Sequence, residues 1–143
     1  MGLFEWTPLY EVGVPAIDRQ HRFLMGLVNE MFEAVVTGQG PRSAARVLEQ
    51  LKAYTHSHFR FEEALLTKAQ DPGLAEHKEL HRELLARLDE VQDLLEEGSH
   101  EAEGKAMELM RSWLIDHIRD NDSEHARYMR TGLKLTVVTN VAA

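Results

Sequence analysis

The chain has 143 residues, 43% of them hydrophobic and 28% charged, which suits one folded domain with a single sizeable core. Its formal net charge of -8 argues against a nucleic acid or an anionic membrane surface as partner. It has no cysteine, which excludes disulfides, thiolate zinc sites and thiolate iron–sulfur ligation.

The opening "MGLFEWTPLYEV" lacks the basic region and apolar stretch of a signal peptide, and Trp6 stands where a myristoylation motif needs Ser or Thr. No apolar run approaches the roughly 20 residues that span a bilayer, so the expected location is the cytoplasm. Residues 1–17, with two prolines and two glycines, read as an extended arm. Asp18 is placed to cap a first helix running to about Val36 and closed by "TGQGP". Pro41 suits the first turn of a second helix, which runs to about Lys68. In "QDPG", Asp71 can cap and Pro72 can start a third helix that continues to about Glu97. "EGS" ends it, and Ser99 can cap a fourth helix reaching the region of Asn121, with Gly104 weakening its first turns. The helical region thus spans 18–130. The tail, 131–143, ends in "LKLTVVTNVAA", a β-branched and apolar stretch that can dock on the helices, form an interface or be disordered.

Each helix carries an apolar stripe at spacings of three and four. The stripes are Ile17, Leu24, Val28, Phe32 and Val35 in the first helix, and Val47, Leu51, Tyr54, Phe61 and Leu65 in the second. They continue as Leu74, Leu84, Leu88, Val91 and Leu95 in the third, and Met107, Met110 and Leu114 in the fourth. Four such helices with short connections predict an all-α, antiparallel up-and-down four-helix bundle with an extended N-terminal arm.

Every stripe is interrupted by polar residues: His21 in the first helix, His58 and Glu62 in the second, His77 and His81 in the third, His117 and Asp122 in the fourth. Leaving one buried polar group unpaired costs roughly 1–3 kcal/mol, and a whole domain is stable by only about 5–15 kcal/mol. Seven such groups must therefore be satisfied together, and a metal centre does that. Five imidazoles and two carboxylates are too many for one tetrahedral zinc, but mixed nitrogen and oxygen donors suit a pair of ions such as iron or manganese. A ferritin-type site needs Glu-x-x-His on helices, and the only such pair, Glu97 and His100, spans a turn. A different, histidine-rich dinuclear site is required. Five α-helical steps from His117 to Asp122 leave the two side chains roughly 140° apart, so a π-type widening or a helix end is expected between them.

The stretches "VGVPAIDRQH", "HFRFEE", "HKELH" and "WLIDHIRDND" resemble, in order, the signature stretches of bacterial hemerythrins, over roughly residues 4–130. The resemblance implies a diiron centre bridged by an oxo or hydroxo group. His77, His81 and His117 would bind one iron, His21 and His58 the other, and Glu62 and Asp122 would bridge them. Leu24, Phe59, Trp113, Leu114 and Ile118 fall where the family lines its ligand pocket, and Phe4, Trp6 and Tyr10 match its aromatic arm. Counting donors over two six-coordinate irons leaves one open position, on the iron with two histidines. The implied function is reversible binding of dioxygen for storage, delivery or sensing, with small anions such as azide as competitors. The alternatives are an enzyme acting on nitric oxide or peroxide, iron handling, or a bundle that mainly serves partner contacts. An apolar pocket without an evident acid or base favours binding over catalysis.

Four polar residues complete the reading. His56 and His100 are expected in solvent. His125 stands where bacterial members of the family often have Tyr. Glu63 adjoins Glu62, but only Glu62 lies four residues from His58, on the same helix face.

Overall fold

The computed structural model describes residues 4–142, and their side chains except for 114, 115 and 138–142. After a single 3₁₀ turn, Pro8–Tyr10, the chain forms α1 (Pro15–Val36), α2 (Pro41–Lys68), α3 (Leu74–Glu96) and α4 (His100–Ser112). From α4 the helix runs without a break through a π-helical segment, Trp113–Asp122, into α5 (Ser123–Ala142). The last three pieces make one long fourth rod. Helix α1 packs on α2, α2 on α3 and α5, and α3 on α4, which is the predicted up-and-down four-helix bundle. Among the described residues no helix is long and apolar enough to cross a membrane.

The helix starts follow local chemistry, not always at the expected residue. Pro41 opens α2 behind Gly40, and the Ser99 hydroxyl accepts from the Ala102 N–H to cap α4, both as the sequence predicts. Asp18 does not cap α1. Pro15 opens that helix one turn earlier, because its fixed φ suits the first turn, and Asp18 instead accepts from the Val12 N–H at 2.8 Å to hold the arm. Asp71 and Pro72 likewise lie just outside α3, which begins at Leu74. Asp71 accepts from the Gly73 N–H and from His125, so its carboxylate closes a turn rather than a helix end.

In the tail α5 runs on as far as Ala142, and its first turns dock on α2, one of the courses the sequence leaves open. Met129 is buried and Leu133 partly so, in a cluster with Leu65 and Leu66 of α2. Gly132 lies so close to α2 that a Cβ on it would run into the Leu65 carbonyl. Thr131 and Thr136 donate their hydroxyls to the carbonyls of Arg127 and Gly132 four residues back, so both are satisfied within the helix.

Most predicted stripe residues are buried, including Ile17, Leu24, Val28, Phe32, Leu51, Leu65, Leu84, Leu88, Val91, Leu95 and Met110. Val35, Val47, Tyr54, Phe61, Leu74 and Met107 sit at the edges, half-buried, while Leu48, Phe59 and Leu66 take the centre of α2. The apolar interior falls into two clusters. One contains Leu24, Phe59, Leu84 and Ile118; the other contains Ile17, Leu65 and Ala126, with Leu74 against it. The polar interruptions lie where the two sets meet, with Phe59 and Ile118 among them, so apolar side chains flank the layer on both sides. The arm closes one side: Phe4 exchanges two 2.9 Å hydrogen bonds with the Asn29 side chain and packs edge-on against Phe32, while Trp6 lies under the Arg22 guanidinium.

Candidate metal centre

Regular helix geometry puts residues four apart on one face, which stacks His58 with Glu62 on α2 and His77 with His81 on α3. His21 faces them from α1. His117 and Asp122, five apart, meet because the rod between Trp113 and Asp122 is π-helical, and i-to-i+5 bonding brings residue i+5 nearly over residue i. The expected widening is there. All seven predicted residues come together, each at most 2% exposed.

Their donor atoms form two groups, each within 4.8 Å: Glu62, His77, His81 and His117 in one, and His21, His58, Glu62 and Asp122 in the other. Glu62 belongs to both. Its Oε1 lies 2.5 Å from His77 Nε2 and 3.3 Å from His81 Nε2, whereas its Oε2 lies 3.1 Å from His58 Nε2 and 3.8 Å from His21 Nε2. Asp122 spans the same divide, with Oδ1 3.2 Å from His117 Nε2 and Oδ2 3.0 Å from His21 Nε2. Each carboxylate thus offers one oxygen to a three-histidine half and the other to a two-histidine half.

The electrostatics of these groups are unbalanced in the protein alone. Burial pushes the His21 imidazole down to about 4, against an opposing pull from Glu62, and drives His117 well below the usual imidazole range. Burial also pushes Glu62 up, but the imidazoles of His21, His58, His77 and His81 gathered around it outweigh that and hold the carboxyl well below its usual range. Asp122 is driven the other way, well above the usual range, by burial and by the charge of Glu62. Glu62 Oε2, both Asp122 oxygens and the Nδ1 atoms of His21, His77 and His117 are buried without a hydrogen-bond partner among the described residues. Two cations would use Oε2 and both Asp122 oxygens and would favour the ionised carboxylates and neutral imidazoles together. The residues present fit a dinuclear metal group.

Two contributors were not picked out from the sequence. His58 Nδ1 is 2.7 Å from the Gln20 side-chain oxygen, and His81 Nδ1 is 2.7 Å from Glu63 Oε2, contacts that turn both Nε2 atoms inward. Their signal was adjacency: Gln20 precedes His21 and Glu63 follows Glu62. Of the predicted pocket residues, Leu24, Phe59, Trp113 and Ile118 are buried around this layer. Phe59 stacks flat on His81 with centroids 3.6 Å apart, and Trp113 lies parallel to His117 at 6.1 Å. The Leu114 side chain lies outside the described residues. His125 packs edge-on against His77 with centroids 4.8 Å apart and pairs with Asp71, while His56 and His100 are exposed as expected.

A histidine- and carboxylate-lined layer inside an antiparallel bundle defines a helical-bundle metal-binding protein. The family model described as "Hemerythrin HHE cation binding domain" matches residues 12–128. The chain belongs to the hemerythrin family. It is 29% identical over 133 residues to a bacteriohemerythrin of Stenotrophomonas maltophilia (strain R551-3), covering 93% of this chain and 86% of that one. It is 30% identical to a bacteriohemerythrin of Pseudomonas aeruginosa (strain LESB58), covering 87% and 80%, and 26% identical to myohemerythrin-1 of Phascolopsis gouldii, covering 85% and 91%. A crystal structure of a hemerythrin mutant matches the fold with a TM-score of 0.78 at 24% identity, over 90% of this chain and 98% of that one.

Proposed function

We propose that this chain binds dioxygen reversibly at a non-haem diiron centre, for storage, delivery or sensing. The observation that carries this reading is the division of oxygens on Glu62, with Oε1 toward His77 and His81 and Oε2 toward His58 and His21. In this reading His77, His81 and His117 would hold one iron and His21 and His58 the other, with Glu62 and Asp122 shared between the two. Such a group, when bound and reduced, supplies the two electrons that dioxygen binding requires.

The chain's own residues supply the rest. The donor set is one imidazole short on the His21 and His58 side, so that side is where dioxygen, or an anion such as azide, has room to bind. Leu24 follows His21 by three residues on the same helix face and is fully buried, so it covers that side with hydrocarbon. Phe59, Trp113 and Ile118, each at most 2% exposed, keep bulk water and its protons away from the layer. Gln20 and Glu63 each hold one imidazole by its Nδ1 proton and keep its Nε2 directed at the centre.

The test is anaerobic reduction of the iron-loaded protein, exposure to dioxygen with the absorption spectrum followed, and removal of dioxygen under vacuum over repeated cycles. Return of the reduced spectrum each cycle supports carriage. Irreversible oxidation on first exposure, or rapid turnover of nitric oxide or peroxide, would move the assignment to a diiron enzyme.

A further inference from the structure

The imidazoles of the metal layer do not stand in equal surroundings. In the three-histidine half, His81 donates its Nδ1 proton to a carboxylate, Glu63 Oε2, at 2.7 Å. In the two-histidine half, His58 donates its Nδ1 proton to the neutral amide oxygen of Gln20, also at 2.7 Å. The Nδ1 atoms of His21, His77 and His117 have no protein partner among the described residues. The two halves therefore differ in more than the number of histidines: one has a negative group directly behind a ligand ring, and the other has a dipole.

Glu63 is well placed to exert that difference. It follows Glu62 on α2, so the helix that presents the shared carboxylate also fixes the position of Glu63. Its side chain is 26% exposed and lies at a surface cleft of about 240 Å³ that it lines with Lys78, His81, Arg82 and Leu85. The His81 ring has little freedom to turn away, because Phe59 stacks on it at 3.6 Å with an interplanar angle of 3°. A carboxylate that accepts the Nδ1 proton enriches Nε2 as a donor, and a richer donor stabilises a more highly charged cation.

We propose that Glu63 is a positioning residue that, through His81, makes the three-histidine half the tighter metal site and the one more readily oxidised. The two-histidine half, backed by Gln20, is then the looser site and the last to give up its electron. This rests on the dinuclear reading above, and it adds a carboxylate's contribution to the asymmetry that donor count already sets between the two sites.

The comparison uses the full chain with Glu63→Gln and, separately, Gln20→Glu. Both substitutions keep size and hydrogen-bonding reach while exchanging amide for carboxylate. Anaerobic titration with ferrous ion against a competing chelator gives the two dissociation constants, and a mediated potentiometric titration gives the first one-electron midpoint. Glu63→Gln is expected to weaken the tighter site by about tenfold or more and to raise the first midpoint. Gln20→Glu is expected to tighten the weaker site and narrow the gap. A residue that merely supports the fold would lower the thermal midpoint of the metal-free protein and leave the ratio of the two constants alone. An unchanged ratio and midpoint in Glu63→Gln would overturn the proposal. Repeating the titration with cobalt(II) reads the same asymmetry without dioxygen chemistry, so a failure here is distinguishable from a failure of the oxygen-binding reading.

Discussion

His117 and Asp122 present Nε2 and Oδ1 to each other at 3.2 Å although five residues separate them in one continuous rod. That contact exists because Trp113–Asp122 is π-helical. A widened turn strains the regular bonding pattern, and here the Asn121 side-chain amide donates to the Asp116 carbonyl at 2.8 Å, which adds a tie within it. Asn121→Ala should cost about 1 kcal/mol, the usual net value of one hydrogen bond, and lower the thermal midpoint by a few degrees. It should also weaken metal binding, since Asp122 is the next residue. Calorimetry and a metal titration of the two proteins check this, and identical midpoints and affinities would remove Asn121 from the support of the π segment.

Two irons per chain are expected on elemental analysis after expression in iron-supplemented medium. His77→Ala and His117→Ala should each reduce that content and destabilise the iron-loaded protein, because each leaves buried polar neighbours such as Glu62 with one partner fewer. His56→Ala and His100→Ala remove exposed imidazoles and should leave iron content within error of the parent. One zinc per chain, or a large loss of iron from either exposed-site variant, would contradict the ligand set.

Acid should destabilise the metal-free protein. Burial holds His21 at about 4 and His117 well below the usual range, whereas an unfolded imidazole titrates near 6.5. Between those values the unfolded chain binds more protons than the folded one, so stability rises with pH and is lost as pH falls from 6.5 toward 4. His21 alone accounts for roughly 3 kcal/mol across that window. Asp122 opposes this, since its raised value lets the folded state take up a proton before the unfolded state does. The thermal midpoint of the chelator-treated protein is expected to fall between pH 6.5 and 4, and more steeply in Asp122→Asn. A flat profile would mean that the layer opens to water when empty.

The bundle and its polar layer were legible because both depend on periodicity. Stripes at three and four residues define inward faces, and the seven interruptions lie on those faces by the same arithmetic. The π segment was legible for the opposite reason, because a regular helix could not bring His117 and Asp122 together. What escaped depended on contacts between elements. Asp18 resembles a cap locally, but its carboxylate goes to the Val12 N–H because Pro15 has already started α1. The β-branched end of α5 resembles a tail until Leu65 and Leu66 give its first turns a surface to pack on. Gln20 and Glu63 lie beside the stripes, where polar residues ordinarily face water, and only the approach of α1 and α3 to α2 converts them into partners for His58 and His81.

Leu24 gives the sharpest test of where the open position lies. It is fully buried in the larger apolar cluster and sits three residues after His21, which in the proposed reading puts it over the half of the centre that is one imidazole short. Leu24→Ala removes three buried carbons and should cost about 2–5 kcal/mol, because a packed bundle collapses only partly around such a gap. The iron should stay, since Leu24 donates nothing to it. The space left behind lies against polar groups, so water can enter where it could not before. The lifetime of the oxygenated form should therefore shorten, while a small anion such as azide should still bind the oxidised protein once per pair of irons. Azide titration and the decay of the oxygenated spectrum, measured in parent and variant, decide between the possibilities. Two azides per pair would refute a single open position, and an unchanged lifetime would place that position away from Leu24.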